Sequence, residues 1–339
     1  MASHPLLIVA AGFCTSAVQN AAQDPNKALK ALLDALRSPR AIVRWLEFLR
    51  SNKFAQMRCR RTPDFIVKPF KRYLNSNYQF PDRVRSLVCH YEFIAKRFCD
   101  TQLQSIYFGA GLTLAEFPGK SDTSYRIVLG THPLCHNEGE MLLKIVTSRC
   151  EVICFALFTI GLSMDGKLQL ELGTIQGQSQ KTNIGATKIA TRDFHGMRPK
   201  HLLMSILYSF AHHCKIDQIV CVATRAHVNY LNGTNIYFYS NYDLLWSQLG
   251  GQLTGSGFYL LPSRFSYCAD VNQGRKHRSR HRRRVKLKSN IFRLLENGLT
   301  TALPRKPSEV DPIGRTTGLG LLIGFSAVSD LLPVSDLLL

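Results

Sequence analysis

Two stretches of the 339-residue chain gather side chains that can do chemistry. Residues 132–141, HPLCHNEGEM, bring His132, His136, Glu138 and Glu140 within ten positions. Read as extended backbone, Glu138 and Glu140 share one face of a strand with His136 level with them. Two carboxylates side by side push their pKa values apart, which is one way to make a general base. By type the same residues could also ligate a metal, but no completing ligand shell can be placed, so no metal is expected. A plain His-rich turn fits these residues too.

The second stretch is 191–213, TRDFHGMRPKHLLMSILYSFAHH. Pro199 suits the first position of a helix, because its missing N–H would have no partner there anyway. The other early N–H groups and the helix dipole favour an anion. Gly196 lets backbone come close, and Arg198 and Lys200 supply countercharge. The helix follows a β hairpin ending in GTIQG (173–177) and precedes a β run, DQIVCVA. That order matches the strand–loop–helix–strand that holds pyrophosphate in acyl-CoA N-acyltransferases. Their loop reads R/Q-x-x-G-x-G/A, and here Arg198 stands where the second glycine belongs. On this reading Arg198, Lys200 and the N–H groups after Pro199 hold phosphates, with Gly196 beside them. Gln176 and Gly177 position an acyl group, and Glu138, Glu140 or His195 takes the proton from an amine. The donor would be an acyl-CoA or an aminoacyl-tRNA. An ordinary capped core helix accounts for the same residues, and His212 and His213 suit a helix C-terminus.

The net charge is +20, and residues 275–288, RKHRSRHRRRVKLK, hold nine Lys or Arg and no acid. Removing those nine leaves +11, so the rest of the chain is basic as well. Such a balance draws polyanions: RNA, an anionic membrane surface or a phosphorylated small molecule. Arg278, Arg280, Arg282, Arg283 and Arg284 are the expected contacts. No aromatic residues interleave them, so the run supports phosphate binding blind to sequence. A solvated basic helix is the plainer account. A P-loop, a G-x-S-x-G elbow, an H-E-x-x-H pair and a Rossmann glycine set are all missing.

These side chains need elements to hold them. With 45% apolar and 19% charged residues the chain is globular in composition. Residues 1–25 read as a lead-in: the apolar start lacks the basic n-region of an export signal. Residues 26–104 read as helical, with Pro39 dividing 26–52 into two helices and a further helix over 79–104 entered through Pro81 and Asp82. From 105 the texture is β: SIYFGAGLTLAEF, SYRIVLGTH, EGEMLLKIVTS, and a hairpin turning at Asp165-Gly166 as a type I′ pair. Residues 178–192 read as a polar stretch, AHVNYL as a helix, YDLLWSQLGG as a short helix stopped by its glycines, and GFYLLP as a last strand. A final helix is expected from Asn290 to Gly298, with a low-pattern tail over 299–339. The expected fold is therefore α/β (α+β). A helical N-terminal part precedes a mixed, mainly antiparallel sheet like that of the N-acyltransferase (GNAT-like) fold, spanning 105–298. The ten cysteines form no disulfide framework or zinc spacing, and reduced thiols suit the cytoplasm. The C-terminal run GLGLLIGFSAV is too short to span a bilayer, so any membrane contact would be peripheral, at the inner membrane.

Seven words carry a resemblance: HPLCHNEGEMLL, FALFTI, LELGTIQG, GMRPKHLL, YDLLWSQLGG, GFYLLP and RKHRSRHRRR. In this order and spacing they resemble the VirK/YbjX family of bacterial proteins, over roughly residues 30–295. The resemblance implies an association with virulence, envelope stress and resistance to antimicrobial peptides, and no established reaction. Glu138, Gly139, Gln176, Gly177, Arg198, Pro199, Lys200, Tyr242, Asp243, Trp246 and Gly251 fall inside the matching words. The family's basic run has Tyr where this chain has His281, and the tail after 300 departs from its pattern.

Overall fold

The structure, a computed structural model, describes residues 33, 37–133, 135, 137–177, 184–230, 241–264 and 278–303. Helix α1 (Pro39–Ser51) opens at Pro39, as its fixed φ favours. The helix expected before it falls almost wholly outside the described residues. Asn52 then caps α2 (Lys53–Arg61), its side chain accepting from the Ala55 N–H at 2.9 Å. Helix α3 (Phe80–Arg97) begins with a capping box between Gln79 and Asp82. The single helix expected over 79–104 is in fact two. Phe98 is extended, and a second cap, with Gln102 reaching back to the Cys99 N–H, starts α4 (Asp100–Phe108). The word SIYF thus belongs to a helix and not to a strand.

Eight strands form one sheet: β1 (Leu112–Pro118), β2 (Ser124–Gly130), β3 (Met141–Thr147), β4 (Val152–Leu162), β5 (Leu168–Gly177), β6 (Gln218–Val222), β7 (Gln252–Leu253) and β8 (Phe258–Leu260). Their order is β1-β2-β3-β4-β5-β6-β8-β7. Each neighbouring pair is antiparallel except β5 with β6. The fold class expected from sequence, a helical part and then a mixed, mainly antiparallel sheet, holds.

The β4–β5 turn is a three-residue loop rather than a type I′ pair. The Gly166 N–H bonds Ser163 O, the Ser163 N–H bonds Lys167 O, and Gly166 alone takes the left-handed conformation at φ 79°. Between β5 and β6 come α5 (Ile184–Asp193), where a polar stretch was expected, and α6 (Pro199–His213), which spans the helix read from sequence. Residues 224–226 make one 3₁₀ turn, and residues 227–230, where AHVNYL was expected to be helical, are not a helix. Helix α7 (Tyr242–Gln248) follows, and α8 runs unbroken from Arg278 to Ala302. Gly298 therefore does not stop it, and the boundary drawn at 298 falls inside a helix.

The sheet is covered on both faces. Phe158 of β4 meets Phe210 of α6, their ring centroids 5.6 Å apart. Its neighbour Thr159, pointing the other way, bonds Tyr73 of the N-terminal layer at 2.5 Å. Helix α3 lies across β4 on that second side, while α8 packs on β1 and α6.

Candidate functional site

In the one parallel pair among the described strands, pairing stops partway along. Strands β5 and β6 pair from Gln169/Gln218 to Leu172/Cys221. Beyond this fork in the pairing β5 continues to Gly177 with β4 as its partner among the described strands. Strand β6 has one residue left, Val222, which pairs with Phe258 of β8 as Val220 and Cys221 pair with Leu260 and Tyr259. A bulge in β5 lies at this fork, at Gly173. A Cβ there would collide with the Glu138 carbonyl, so glycine is what lets the chain before β3 lie directly on β5.

Four segments meet over the fork on the N-terminal-layer side. Asn229 Nδ2 donates to Glu138 Oε1 at 2.8 Å, and His227 Nε2 stands 3.6 Å from Glu138 Oε2. The Asn229 N–H donates to His227 Nδ1 at 3.1 Å, which puts the proton of the neutral imidazole on Nε2, facing the carboxylate. Tyr242 of α7 stacks on the His227 ring and on Trp246, which donates to Val222 O at 3.0 Å. The Tyr242 hydroxyl bonds Thr174 Oγ1, and Gln176 Nε2 donates to the same oxygen at 3.1 Å. Glu138, His227, Thr174 and Tyr242 are all buried. Burial pushes the Tyr242 phenol up to about 12, with Thr174 opposing, so it stays protonated. Burial, aided by the Glu138 carboxylate, pushes the Cys135 thiol up to about 11. The arrangement sets the Glu138 carboxyl beside the His227 imidazole and the Asn229 amide, with the protonated Tyr242 hydroxyl on Thr174 of the neighbouring strand.

Glu140 is somewhere else. Neither glutamate lies on a strand, since β3 begins at Met141, and His136 lies outside the described residues. Glu140 pairs with the buried Lys68 and accepts from the Tyr91 hydroxyl, and its N–H donates to Thr159 Oγ1 at 3.2 Å. Burial by itself would raise its pKa, but Lys68, His90 and Arg58 hold it down to about 2. The side-by-side carboxylate pair expected from spacing is therefore not formed. His132 stacks on Phe155, which pairs with Gln176 across β4 and β5. Among the described residues no three His, Cys, Asp or Glu side chains are grouped to hold a metal ion.

The helix mouth differs more from its expected form. The extra helix α5 separates it from β5, so the loop that follows the strand directly is not 195–200. Gly196, left-handed at φ 80°, closes α5: its N–H donates to Thr191 O at 2.7 Å, and the Met197 N–H goes to Phe194 O. Arg284 of α8 donates from Nε to His195 O at 3.0 Å and from Nη2 to Gly196 O at 3.1 Å. This corner shows carbonyls to a guanidinium, the reverse of an anion nest. Arg198 is the exposed cap of α6. Lys200, its pKa lowered by burial, lies on the α6 side of the sheet with Cε 4.0 Å from where a Gly177 Cβ would be. Gln176 faces the opposite side, so the sheet divides the residues expected to hold one donor. His195, half-buried, is held below its ordinary pKa by burial and by Arg283, Lys120 and Arg284.

His227 and Asn229 are the site residues that spacing alone missed. The signal was an H-x-N within AHVNYL, read as helix, and its partner Glu138 is 91 positions away from Asn229.

Known proteins bear on these positions. Residues 21–296 match the family described as "Protein of unknown function (DUF535)". A protein of Escherichia coli (strain K12), "Uncharacterized protein YbjX", is 24% identical over 262 residues, covering 76% of this chain and 79% of its own. The fork and the polar cluster over it lie within the family match, and the chain belongs to the DUF535 family, which is the VirK/YbjX family it resembles by its motifs.

Proposed function

We propose that the chain is an acyl-transfer enzyme of GNAT-like architecture whose reacting centre is the fork between β5 and β6. The observation that carries this reading is the meeting of buried Glu138, His227 and Tyr242 with exposed Asn229 where the parallel β5–β6 pairing ends. In the step proposed, an amine nitrogen attacks the acyl carbon and a C–N bond forms. The C–S bond of a thioester donor, or the C–O bond of an aminoacyl ester, breaks. The amine proton goes to Glu138, toward which His227 turns its Nε2–H, and Tyr242 protonates the leaving sulfur or oxygen. Asn229 orients both Glu138 and His227. Lys200, on the α6 side of the sheet beside Gly177, and Arg198 at the start of α6 are the cations proposed for donor phosphates. Free cysteines throughout the described residues suit a cytoplasmic setting, where such donors are made. Virulence and envelope stress are the settings the family resemblance suggests for its acceptor.

The test is transfer from acetyl-CoA, longer acyl-CoAs and aminoacyl-tRNA to amine acceptors, with thermal shift alongside. A cognate donor raises Tm, by RT ln(1 + [L]/Kd). Glu138→Gln lowers kcat by about 10²–10⁴ with the donor-induced Tm shift retained. If no donor moves Tm and none is consumed, the reading fails.

A further inference from the structure

Helix α8 is divided in its surroundings. Ile291, Leu295, Leu299 and Ala302 are buried against the sheet and α6, while Arg278, Arg280, Arg282, Arg283 and Lys286 in its first half are exposed. Its one acid is Glu296, in the second half. Arg284 fastens the basic half to the corner after α5 through its two bonds to the His195 and Gly196 carbonyls. That anchor sets the neighbouring cations in place. Arg280 Cδ lies 3.7 Å from where a Gly196 Cβ would be, and Arg283, Arg284 and Lys120 of the β1–β2 turn all act on the His195 ring. The acid beside them, Asp193, is buried and accepts from the hydroxyls of Ser121 at 2.8 Å and Tyr125 at 2.7 Å. Cations from two separate elements therefore converge on one corner.

We propose that the first half of α8, with Lys120 and the His195 corner, is a docking face for the phosphodiester backbone of nucleic acid, gripping it without reading sequence. Charge complementarity over an extended, acid-free half-helix is the first argument. The second concerns the competing anionic surface. A helix that lies on a membrane brings an apolar face of its own to the lipid. Here the apolar face of α8 is used in the core, and Val285 is the one large apolar side chain exposed on the basic half among the described residues. With no Phe, Tyr or Trp between Arg278 and Asn290 to stack on bases, backbone contact is what the face chiefly offers. The face stands apart from the acyl-transfer reading. Glu138→Gln, which slows transfer by about 10²–10⁴ on that reading, leaves nucleic-acid affinity unchanged.

The test is fluorescence anisotropy of labelled bulk tRNA and of a 20-base-pair DNA duplex with the full chain in 50–300 mM NaCl. Co-sedimentation with phosphatidylglycerol vesicles runs beside it. Nucleic acid binds, and log K falls linearly with log salt at a slope of roughly −3 to −5 for four or five phosphate contacts. The triple variant Arg280→Ala/Arg282→Ala/Arg283→Ala weakens binding at least tenfold and flattens the slope by about 2–3. Lys53→Ala/Arg60→Ala, exposed cations on α2, changes neither. Tighter binding of tRNA than of duplex makes RNA the source of the backbone, and the reverse makes it DNA. The proposal is overturned if nothing binds at 50 mM salt, if the α2 pair weakens binding as much as the triple, or if vesicles bind through these arginines while nucleic acid does not.

Discussion

His90 is wholly buried, with Tyr107 Oη 2.7 Å from Nε2 and the Ile160 N–H donating to Nδ1 at 3.1 Å. That geometry fits only the neutral ring, and burial pushes its pKa from 6.5 down to about 3. Glu140 is depressed as well, from 4.5 to about 2, because Lys68, His90 and Arg58 outweigh its burial. Both folded values lie below the unfolded ones, so both contributions are complete above the unfolded pKa and are lost as pH falls through the folded one. For His90 the loss runs from about pH 6.5 to 3, and for Glu140 from about pH 4.5 to 2. Urea midpoints are thus expected to be level near pH 7–8, to fall below 6.5 and to fall more steeply below 4.5. His90→Phe costs about 1–3 kcal/mol at pH 7, since the Ile160 N–H and the Tyr107 hydroxyl lose a partner. It also removes most of the decline between pH 6.5 and 4.5. A wild-type midpoint unchanged from pH 7 to 5 would contradict the assignment. The contrast between Glu138 and Glu140 also shows what spacing leaves out. Two positions apart in sequence, one turns to Asn229 and His227 and the other to Lys68 and Tyr91.

At the scale of elements, α8 and β1 are held together by the absence of a side chain. A Cβ on Gly298 would overlap the Leu114 carbonyl, backbone that has no easy way to give. Gly298→Ala is accordingly expected to destabilise by about 3 kcal/mol or more, the upper end for overpacking. Melting curves would check this, and a variant within 1 kcal/mol of wild type would mean that α8 is not seated on β1 in this way. The same glycine explains a misreading: near the end of a basic helix it looks like a stop, and only the strand beneath shows why it lies inside. Elements with local signals were legible. Pro199 opened α6, the Asp165-Gly166 turn joined β4 to β5, and Gly250 with Gly251 ended α7. Elements defined by distant partners were not. Helix α5 buries small residues, Ala186 and Ala190, which leave no apolar stripe to read. The break before α4 rests on a Cys99–Gln102 cap that lacks the usual Ser, Thr or Asp. Of the site, Glu138, Gln176 and Tyr242 lay in family words, whereas His227 needed the fold to bring it to Glu138.

At the scale of the molecule, the net charge of +20 is a liability that the exposed ion pairs between described residues offset only weakly. The exposed ion pairs among the described residues include Lys71–Asp64 at 2.7 Å and Lys167–Asp165 at 2.8 Å, both local and between solvated side chains. Pairs of this kind contribute under about 1 kcal/mol each. Repulsion among the remaining cations acts over a Debye length of about 10 Å at 0.1 M salt, and so reaches between α8, the β1–β2 turn and the α5–α6 corner. Salt therefore screens more repulsion than attraction. Raising NaCl from 50 to 300 mM is expected to raise Tm by about 2–4 °C, the shift that roughly 1 kcal/mol gives a domain of this order. Arg280→Ala/Arg282→Ala/Arg283→Ala should already be more stable at 50 mM and gain less from salt, because it removes part of the clustered charge that salt screens. A Tm that falls with added NaCl would show that attractive pairs dominate, and that the cations around His195 are not crowded at a cost to the fold.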